Sequence, residues 1–222
     1  MSSRREREKE ERRKFILAKA QSLFAEKGFI GTSMAEIAEA SEFAVGSLYS
    51  FFDSKEEILA TIFEYHIEKV IGEIAQIRDD KSLTAREKIT VALEQLVKLY
   101  VDNQDFFRIY VAEARGVEWG IRTEVGEYIY KGSVRYMSIL SDIFRMGIEE
   151  GVVGTDVDPE FLALLMRSYV HSSVIHFLYG NRGIKMEDLL TAVKRLLFEG
   201  IRPRVNGEVL CVKSSLFDKD DI

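Results

Sequence analysis

The segment 32–55 places hydrogen-bond donors on both sides of a run of small residues. The donors are the side chains of Thr32, Ser33, Tyr49 and Lys55. Hydroxyl and ammonium groups donate to phosphate oxygens, and such contacts fix the position of a protein on a nucleic acid. The small residues between them are Ala44, Val45, Gly46 and Ser47. Because a short helix with small exposed side chains fits the major groove of DNA, we expect this run to face base edges.

Two short helices separated by a tight turn are predicted to hold these side chains. Ser33 and Glu36 form a capping-box pattern, so a helix should begin near Met34. This helix should end near Ser41. A second helix is predicted from the helical spacing of apolar side chains at Val45, Leu48, Tyr49 and Phe52. Together the two helices make a helix-turn-helix.

Further helices are predicted on both sides of the helix-turn-helix. The segment 14–27 is ended by Gly28, and its apolar face is formed by Ile16, Ala20, Leu23 and Phe24. Ser54 and Glu57 repeat the capping pattern and begin a long helix that runs to about Ile77. This helix connects the helix-turn-helix to the rest of the chain. A rigid helix in that place can carry a shift from one end to the other.

These motifs resemble the signature of the TetR family of transcriptional regulators. The matching residues are I-A in the first helix and then G-S-L-Y-x-F-F-x-S-K-E across the second helix and the start of the third. The resemblance implies a three-helix DNA-binding domain followed by a larger helical domain that binds a ligand and dimerises. It also implies a function, that of a dimeric repressor that binds near-palindromic operator DNA and is released by a small apolar or aromatic effector.

Two residues of the turn depart from the family pattern, which usually has Gly where this chain has Glu42 and Ser or Thr where it has Ala44. A side chain at positive φ costs about 1 kcal/mol, and the loss of a capping hydroxyl costs about as much. Glu42 also brings a negative charge near phosphate. These departures favour an alternative function, a dimeric ligand-binding adaptor with weakened or lost DNA binding.

The composition predicts an all-α protein with a sizeable core. The chain has 222 residues, 46% of them hydrophobic, and only two prolines, so long helices are permitted almost everywhere. Its single cysteine, Cys211, excludes an intramolecular disulfide and any site that needs several cysteines. No run of about 18 apolar residues and no signal peptide is present, so we expect a cytoplasmic protein without a membrane partner.

The N-terminal arm has two interpretations. The net charge of the chain is −6, but residues 1–14 contain seven basic and four acidic side chains. The arm could contact phosphates or the minor groove of DNA. Alternatively, it is the solvated start of a helix, with oppositely charged side chains paired four residues apart.

Three parts of the chain are expected. Residues 1–53 form the DNA-binding domain with the basic arm, residues 54–202 form the ligand-binding and dimerisation domain, and residues 203–222 form a polar tail. Helical spacing and caps predict that the second part consists of helices throughout.

Aromatic side chains of the central helices are candidates for a ligand cavity, although aromatic residues at helical spacing are more often simple core. The candidate lining residues are Phe107, Tyr110, Trp119, Tyr128, Tyr136, Tyr169, His176 and Phe177. The cavity would accept an apolar or aromatic small molecule. Arg115 could pair with an anionic ligand, but an ordinary surface charge is the simpler interpretation.

The last two long helices are predicted to form the homodimer interface. The first of them is apolar on more than one side, which is typical of a helix that is buried or becomes buried by association. Two such helices can pair with their copies as a four-helix bundle across a two-fold axis. The candidate interface residues are Leu165, Tyr169, Ser172, Leu189, Val193, Leu196 and Leu197.

Catalytic and metal-binding patterns are missing from the sequence. It contains no P-loop, no G-x-S-x-G and no H-E-x-x-H, so no catalytic residue and no cofactor is predicted. His171 and His176 lie five residues apart on one predicted helix, about 140° apart around its axis, which is a poor arrangement for one metal ion. A binding protein is therefore favoured over an enzyme.

Overall fold

A computed structural model describes residues 4–115, 124–154, 157–179, 186–199, 204–205 and 208–209. Within these residues the chain is helical apart from one small hairpin, which confirms the all-α prediction. The helices are α1 (Arg4–Lys27), α2 (Met34–Ala40), α3 (Val45–Leu48), α4 (Lys55–Asp79), α5 (Ala85–Asp102), α6 (Gln104–Arg115), α7 (Glu124–Glu149), α8 (Pro159–Tyr179) and α9 (Met186–Glu199). The hairpin pairs β1 (Arg204–Val205) with β2 (Glu208–Val209) in antiparallel fashion.

Side-chain caps fix where several helices begin. The Ser33 hydroxyl accepts a hydrogen bond from the Glu36 N–H, and the Glu36 carboxylate accepts one from the Ser33 N–H. Thr84 and Glu87 make the same reciprocal pair at the start of α5, and the hydroxyl of Ser54 caps α4. Each cap satisfies backbone donors that the helix itself leaves free, which is why these starts were predictable.

The N-terminal arm is helical from Arg4 onward. Its charged side chains pair four residues apart, with 2.9 Å between Arg4 Nε and Glu8 Oε1 and 4.0 Å between Lys14 Nζ and Glu10 Oε1. The ion pairs agree with a solvated helix start, and a contact of the arm with DNA remains a prediction.

The first of two hydrophobic clusters joins the helix-turn-helix to the rest of the protein. Its buried side chains are Ile16, Ala20, Phe24, Ile37, Ala38, Leu48, Phe52, Ile58, Leu59, Ile62, Phe63, Phe106, Phe107 and Ile109. The last three belong to α6, which packs directly on α1. α4 runs from the helix-turn-helix into the rest of the chain, and α6 adds a second contact that its sequence spacing does not reveal.

The second cluster packs α4, α5, α7, α8 and α9 together, and α4 against α7 is the most extensive of these contacts. Gly132 permits the two helices to approach closely, since a Cβ atom at this position would lie 2.4 Å from Ile67 Cγ2. Nearby, the Arg135 guanidinium of α7 donates to the Glu68 carboxylate of α4 at 2.5 and 3.2 Å. Among the described helices, none is both long and apolar enough to cross a membrane.

Candidate DNA-binding surface and ligand cavity

The exposed side of α3 is made of small residues. Leu48 is buried in the first cluster, whereas Ala44, Val45, Gly46 and Ser47 are exposed and Tyr49 is half exposed. The spacing predicted a helix up to Phe52, but α3 is shorter. After Leu48 the backbone forms turns, in which hydrogen bonds join residues three positions apart. These residues therefore lie on the surface as expected, and their contact with DNA remains a prediction.

The side chains of Thr32 and Lys55 make hydrogen bonds within the protein, and their contact with phosphate remains a prediction. Thr32 is only 2% exposed, and its hydroxyl donates to the Gly28 carbonyl at 2.9 Å. Lys55 Nζ donates to the carbonyls of Phe29 and Thr32, each at 2.7 Å, and lies 4.3 Å from the centre of the Phe29 ring. A sequence shows that a donor is present but not that distant carbonyl groups already accept from it.

Ser33 is exposed, but its hydroxyl is part of the cap described above and also donates to Glu36 Oε2 at 2.9 Å. Hydrogen bonds from Lys27 and then from Ser33 lower the pKa of Glu36 to about 2, so this carboxylate stays charged. Of the donors predicted to contact phosphate, Tyr49 has the freest side chain.

Arg13 supports the turn after α3, a role that sequence reasoning missed. Its guanidinium donates to the Phe51 carbonyl at 2.8 Å and lies 4.1 Å from the centre of the Phe52 ring. Arg13 is one of several basic residues in a charged helix, and nothing in its sequence surroundings distinguishes it from the others. The guanidinium fixes the position of α3 on α1.

The turn between α2 and α3 has the two departures expected from its sequence. Glu42 has φ of 59°, in the left-handed region that favours glycine. Ala44 is the N-cap of α3 and makes no side-chain hydrogen bond there. A backbone hydrogen bond nevertheless stabilises the turn, since the Phe43 N–H donates to the Ala38 carbonyl at 2.9 Å.

Substituting Glu42→Gly and Ala44→Ser should each stabilise the protein by about 1 kcal/mol, because the first removes the left-handed strain and the second restores a cap. Urea unfolding followed by circular dichroism measures both effects. Glu42→Gln, which removes the charge but keeps the strained backbone, is the matched control and should leave stability near that of the wild type. If the Gly and Gln variants were equally stable, the result would contradict a strained backbone at Glu42.

A cavity of about 110 Å³ lies between α4, α5, α6, α7 and α8. Its lining residues are Phe63, His66, Ile67, Val70, Ile71, Leu96, Leu99, Tyr100, Phe106, Phe107, Tyr110, Ile129, Gly132, Ser133, Tyr136 and Arg167. Apolar and aromatic side chains thus form most of its wall, and α4 supplies five of them. Phe106 and Phe107 belong at the same time to the core of the helix-turn-helix.

The predicted lining is partly correct in position. Phe107, Tyr110 and Tyr136 line the cavity, but binding of a ligand by them remains a prediction. Tyr128, Tyr169 and His176 are not among its lining residues. The Tyr128 hydroxyl donates to Glu68 at 3.0 Å, and Tyr169 is 42% exposed on the outer side of α8. Trp119 and the side chains of Arg115 and Phe177 lie outside the described residues.

α4 supplies more of the missed lining residues than any other helix. Ile67, Val70 and Ile71 look in the sequence like the ordinary apolar face of a connecting helix, and only the packing of α7 against them reveals a cavity. Arg167 was missed because it interrupts an apolar helix without any patterned partner.

His66 connects the cavity to α1. Its Nε2 atom lies 2.9 Å from Gln21 Oε1, and its ring stacks on Phe106 with 4.1 Å between ring centres. Burial, and to a lesser extent the charge of Lys69, lowers the pKa of His66 to about 4. The imidazole is therefore neutral at neutral pH.

The stability of the protein should fall when the pH is lowered from about 6.5 to about 4. In this range the unfolded chain binds a proton at His66, whose ordinary pKa is about 6.5, while the native imidazole stays neutral. The free energy of unfolding should drop by up to about 2 kcal/mol between pH 7 and pH 5 on this account. Urea unfolding at both pH values measures it, and His66→Gln should lose this part of the dependence. An unchanged pH dependence in the variant would argue against a buried neutral His66.

Two family models match the chain along most of the described helices. The model for bacterial regulatory proteins of the tetR family matches residues 16–62, and the model for the tetracyclin repressor-like C-terminal domain matches residues 82–175. The first covers the helix-turn-helix, and the second covers four of the helices around the cavity. This chain belongs to the TetR family. Members are DNA-binding transcription factors without enzymatic activity, and this chain is one of them.

The similar proteins include a fatty acid metabolism regulator and two regulators in complex with acyl-coenzyme A esters. This TetR-family chain is 25% identical over 186 residues to the fatty acid metabolism regulator protein of Bacillus subtilis (strain 168), a match that covers 84% of this chain and 93% of the relative. The structure of the transcriptional regulator FadR from Bacillus subtilis in complex with stearoyl-CoA is similar, with a TM-score of 0.69, 22% identity and coverage of 85% and 99%. AibR in complex with isovaleryl coenzyme A and operator DNA gives a TM-score of 0.70, 22% identity and coverage of 84% and 98%. These two likenesses show the fold.

The outer side of α8 in this TetR-family chain is apolar and uncovered. Its exposed side chains Phe161, Leu164, Leu165, Ser168, Tyr169 and Ser172 follow one face of the helix. Val193, in contrast, is only 4% exposed, because α9 turns it into the second hydrophobic cluster of its own chain. A contact of Val193 with a partner stays a prediction, and this side chain packs inside its own chain. Leu197 also packs against that cluster, Leu196 is half-buried, and the Leu189 side chain lies outside the described residues.

No group of three or more His, Cys, Asp and Glu side chains that could hold a metal ion occurs in the part of the chain that the structure describes. His171 is half-buried beside the Tyr110 ring, and its pKa is lowered by burial and then by Arg167.

Proposed function

We propose that this TetR-family regulator is a homodimeric repressor that binds near-palindromic operator DNA and is released by an apolar acyl effector. One observation carries the proposal: Phe106 and Phe107 line the cavity and also belong to the core that holds α2 and α3. A molecule that enters the cavity therefore presses on the core of the helix-turn-helix. Residues 1–53 would supply DNA contacts, residues 54–202 the effector site and the dimer contacts, and residues 203–222 a polar tail.

The effector class is suggested by the character of the cavity and by the relatives. Apolar and aromatic side chains favour a hydrocarbon portion, and the ligands in the two similar structures are acyl-coenzyme A esters. The cavity of about 110 Å³ is smaller than a typical ligand site of about 300–1,000 Å³. An acyl group can therefore enter only if lining side chains such as Ile67 and Val70 move, which displaces α4.

Release from DNA would follow from the displacement of α4. In a dimer the two α3 helices must lie about 34–36 Å apart, or a multiple of this, to enter successive major grooves on one side of DNA. An effector that binds the displaced state more tightly by about 1–3 kcal/mol lowers operator affinity by about 5- to 150-fold.

The test is fluorescence anisotropy of the purified full-length protein with DNA from upstream of its own gene and with shuffled DNA, across a salt series. Specific binding that weakens with salt, and that isovaleryl-CoA or stearoyl-CoA reverses, supports the proposal. Binding that no acyl-CoA reverses would reject the effector class. Equal binding to both DNAs with no change on adding acyl-CoA would reject the repressor function at this site.

The dimer is proposed to form through the exposed face of α8. An uncovered apolar face on a long helix is typical of an interaction surface, and a two-fold axis would pair it with its copy. Sedimentation velocity should give twice the monomer mass of 25.4 kDa. Leu165→Glu should shift the protein to the monomer, whereas the exposed Val134→Glu on α7 should not.

A second candidate function, the ligand-binding adaptor without DNA binding, is favoured by the strained turn at Glu42 and by the uncapped start of α3. If the wild type binds no DNA at low salt but Glu42→Gly does, the adaptor function is favoured over the repressor function.

A further inference from the structure

Arg167 is a cation inside the cavity without a visible counter-charge. It projects from α8 into a wall whose other side chains are apolar or aromatic apart from Ser133, and its Nε atom is buried with no hydrogen-bond partner among the described residues. No carboxylate of those residues makes an ion pair with it. Buried polar groups in proteins nearly always have a partner, so this guanidinium requires an explanation.

The groups that face Arg167 cannot neutralise it. Burial raises the pKa of the Tyr100 and Tyr136 phenols, so both stay uncharged at neutral pH. His171 is neutral as well, since burial lowers its pKa. Arg167 is half-buried, and its buried Nε–H, which lacks an acceptor, is destabilised until an acceptor oxygen binds it.

We propose that Arg167 binds the carbonyl-type oxygen of the effector, either a free carboxylate or the carbonyl of a thioester, and so orients the acyl group in the cavity. This inference rests on the proposed function, which places an effector there. The apolar end of the ligand then lies toward Ile67 and Val70 of α4, where it displaces that helix. The oxygen of the acyl effector thereby contributes to its affinity, and an apolar molecule without such an oxygen gains nothing from Arg167.

The test compares the wild type with Arg167→Met and Arg167→Lys by isothermal titration with octanoate, octanoyl-CoA and 1-octanol. Loss of a charge-assisted hydrogen bond should weaken binding by about 10- to 100-fold. We expect this loss for Arg167→Met with octanoate or with octanoyl-CoA, a smaller loss for Arg167→Lys, and no change with 1-octanol. Whichever of the two acyl ligands loses affinity identifies the source of the oxygen.

Arg145→Met is the matched control, because Arg145 is exposed on α7, pairs with Asp142 and does not line the cavity. It should leave all three affinities unchanged. Operator binding without a ligand should be the same in Arg167→Met and in the wild type, which shows that the variant is folded.

The outcomes separate the two proposals. Unchanged affinity of Arg167→Met for both acyl ligands would overturn the role of Arg167 and leave the effector class intact. A wild type that binds operator DNA but neither acyl ligand would overturn both.

Discussion

Replacing Gly46 by glutamate is expected to lower operator affinity by about 100-fold or more without destabilising the fold. Gly46 lies on the exposed side of α3, and no atom lies within 4 Å of the place where its Cβ would be. The new side chain therefore points into solvent in the free protein. On DNA it would bring a carboxylate into a groove lined by phosphates and by base acceptors, and specific complexes exceed non-specific ones by about 10³–10⁷-fold in affinity.

The measurement is an anisotropy titration with operator DNA, accompanied by thermal unfolding. Gly72→Glu is the matched control, because Gly72 is also helical, exposed and free of atoms within 4 Å, but lies on α4. It adds the same charge and should bind DNA nearly as the wild type does. Equal losses in the two variants would mean that net charge, and not the position on α3, decides binding.

Substituting Gly132→Ala is expected to weaken operator binding by about 5- to 150-fold in the absence of any effector. The added Cβ would lie 2.4 Å from Ile67 Cγ2, so either the Ile67 side chain or α4 as a whole must move. Movement of α4 away from α7 is the displacement that we attribute to the effector. The variant should therefore resemble the ligand-bound protein.

Two further variants make this prediction specific. Adding Ile67→Ala to Gly132→Ala removes the colliding methyl group and should restore much of the lost DNA affinity. Gly147→Ala is the matched control, because its Cβ would lie 2.9 Å from Ile89 Cδ1 and from Val153 Cγ2, which are outside α4. It should lower stability but spare DNA binding. If Gly147→Ala weakened DNA binding to the same degree, the cause would be general destabilisation and not a displaced α4.

The helix starts and the helix-turn-helix were predictable because local patterns specify them. Ser33 with Glu36 and Thr84 with Glu87 satisfy backbone donors within four residues of themselves, so a short window of sequence contains the whole interaction. The positive φ of Glu42 was expected from the resemblance, because the TetR family usually has Gly at this position.

The candidate site was predictable only in part because its contacts join distant residues. Lys55 donates to carbonyls 23 and 26 residues away, and Val193 is buried in the second cluster by helices that lie far from it in the sequence. Arg167 faces residues of α4, α5 and α7 across the cavity. The periodicity of a single helix does not predict such long-range contacts, because each contact depends on how whole helices pack.

The packing of α6 on α1 determines what can be exchanged between regulators of this kind. Phe106, Phe107 and Ile109 complete the core that holds α2 and α3, although they lie about fifty residues beyond Phe52. A hybrid built by joining a foreign operator-reading segment at residue 53 would place foreign helices against these three side chains. The segment that should be transplanted is therefore discontinuous, and it must include the side of α6 that meets α1 if the hybrid is to respond to the original effector.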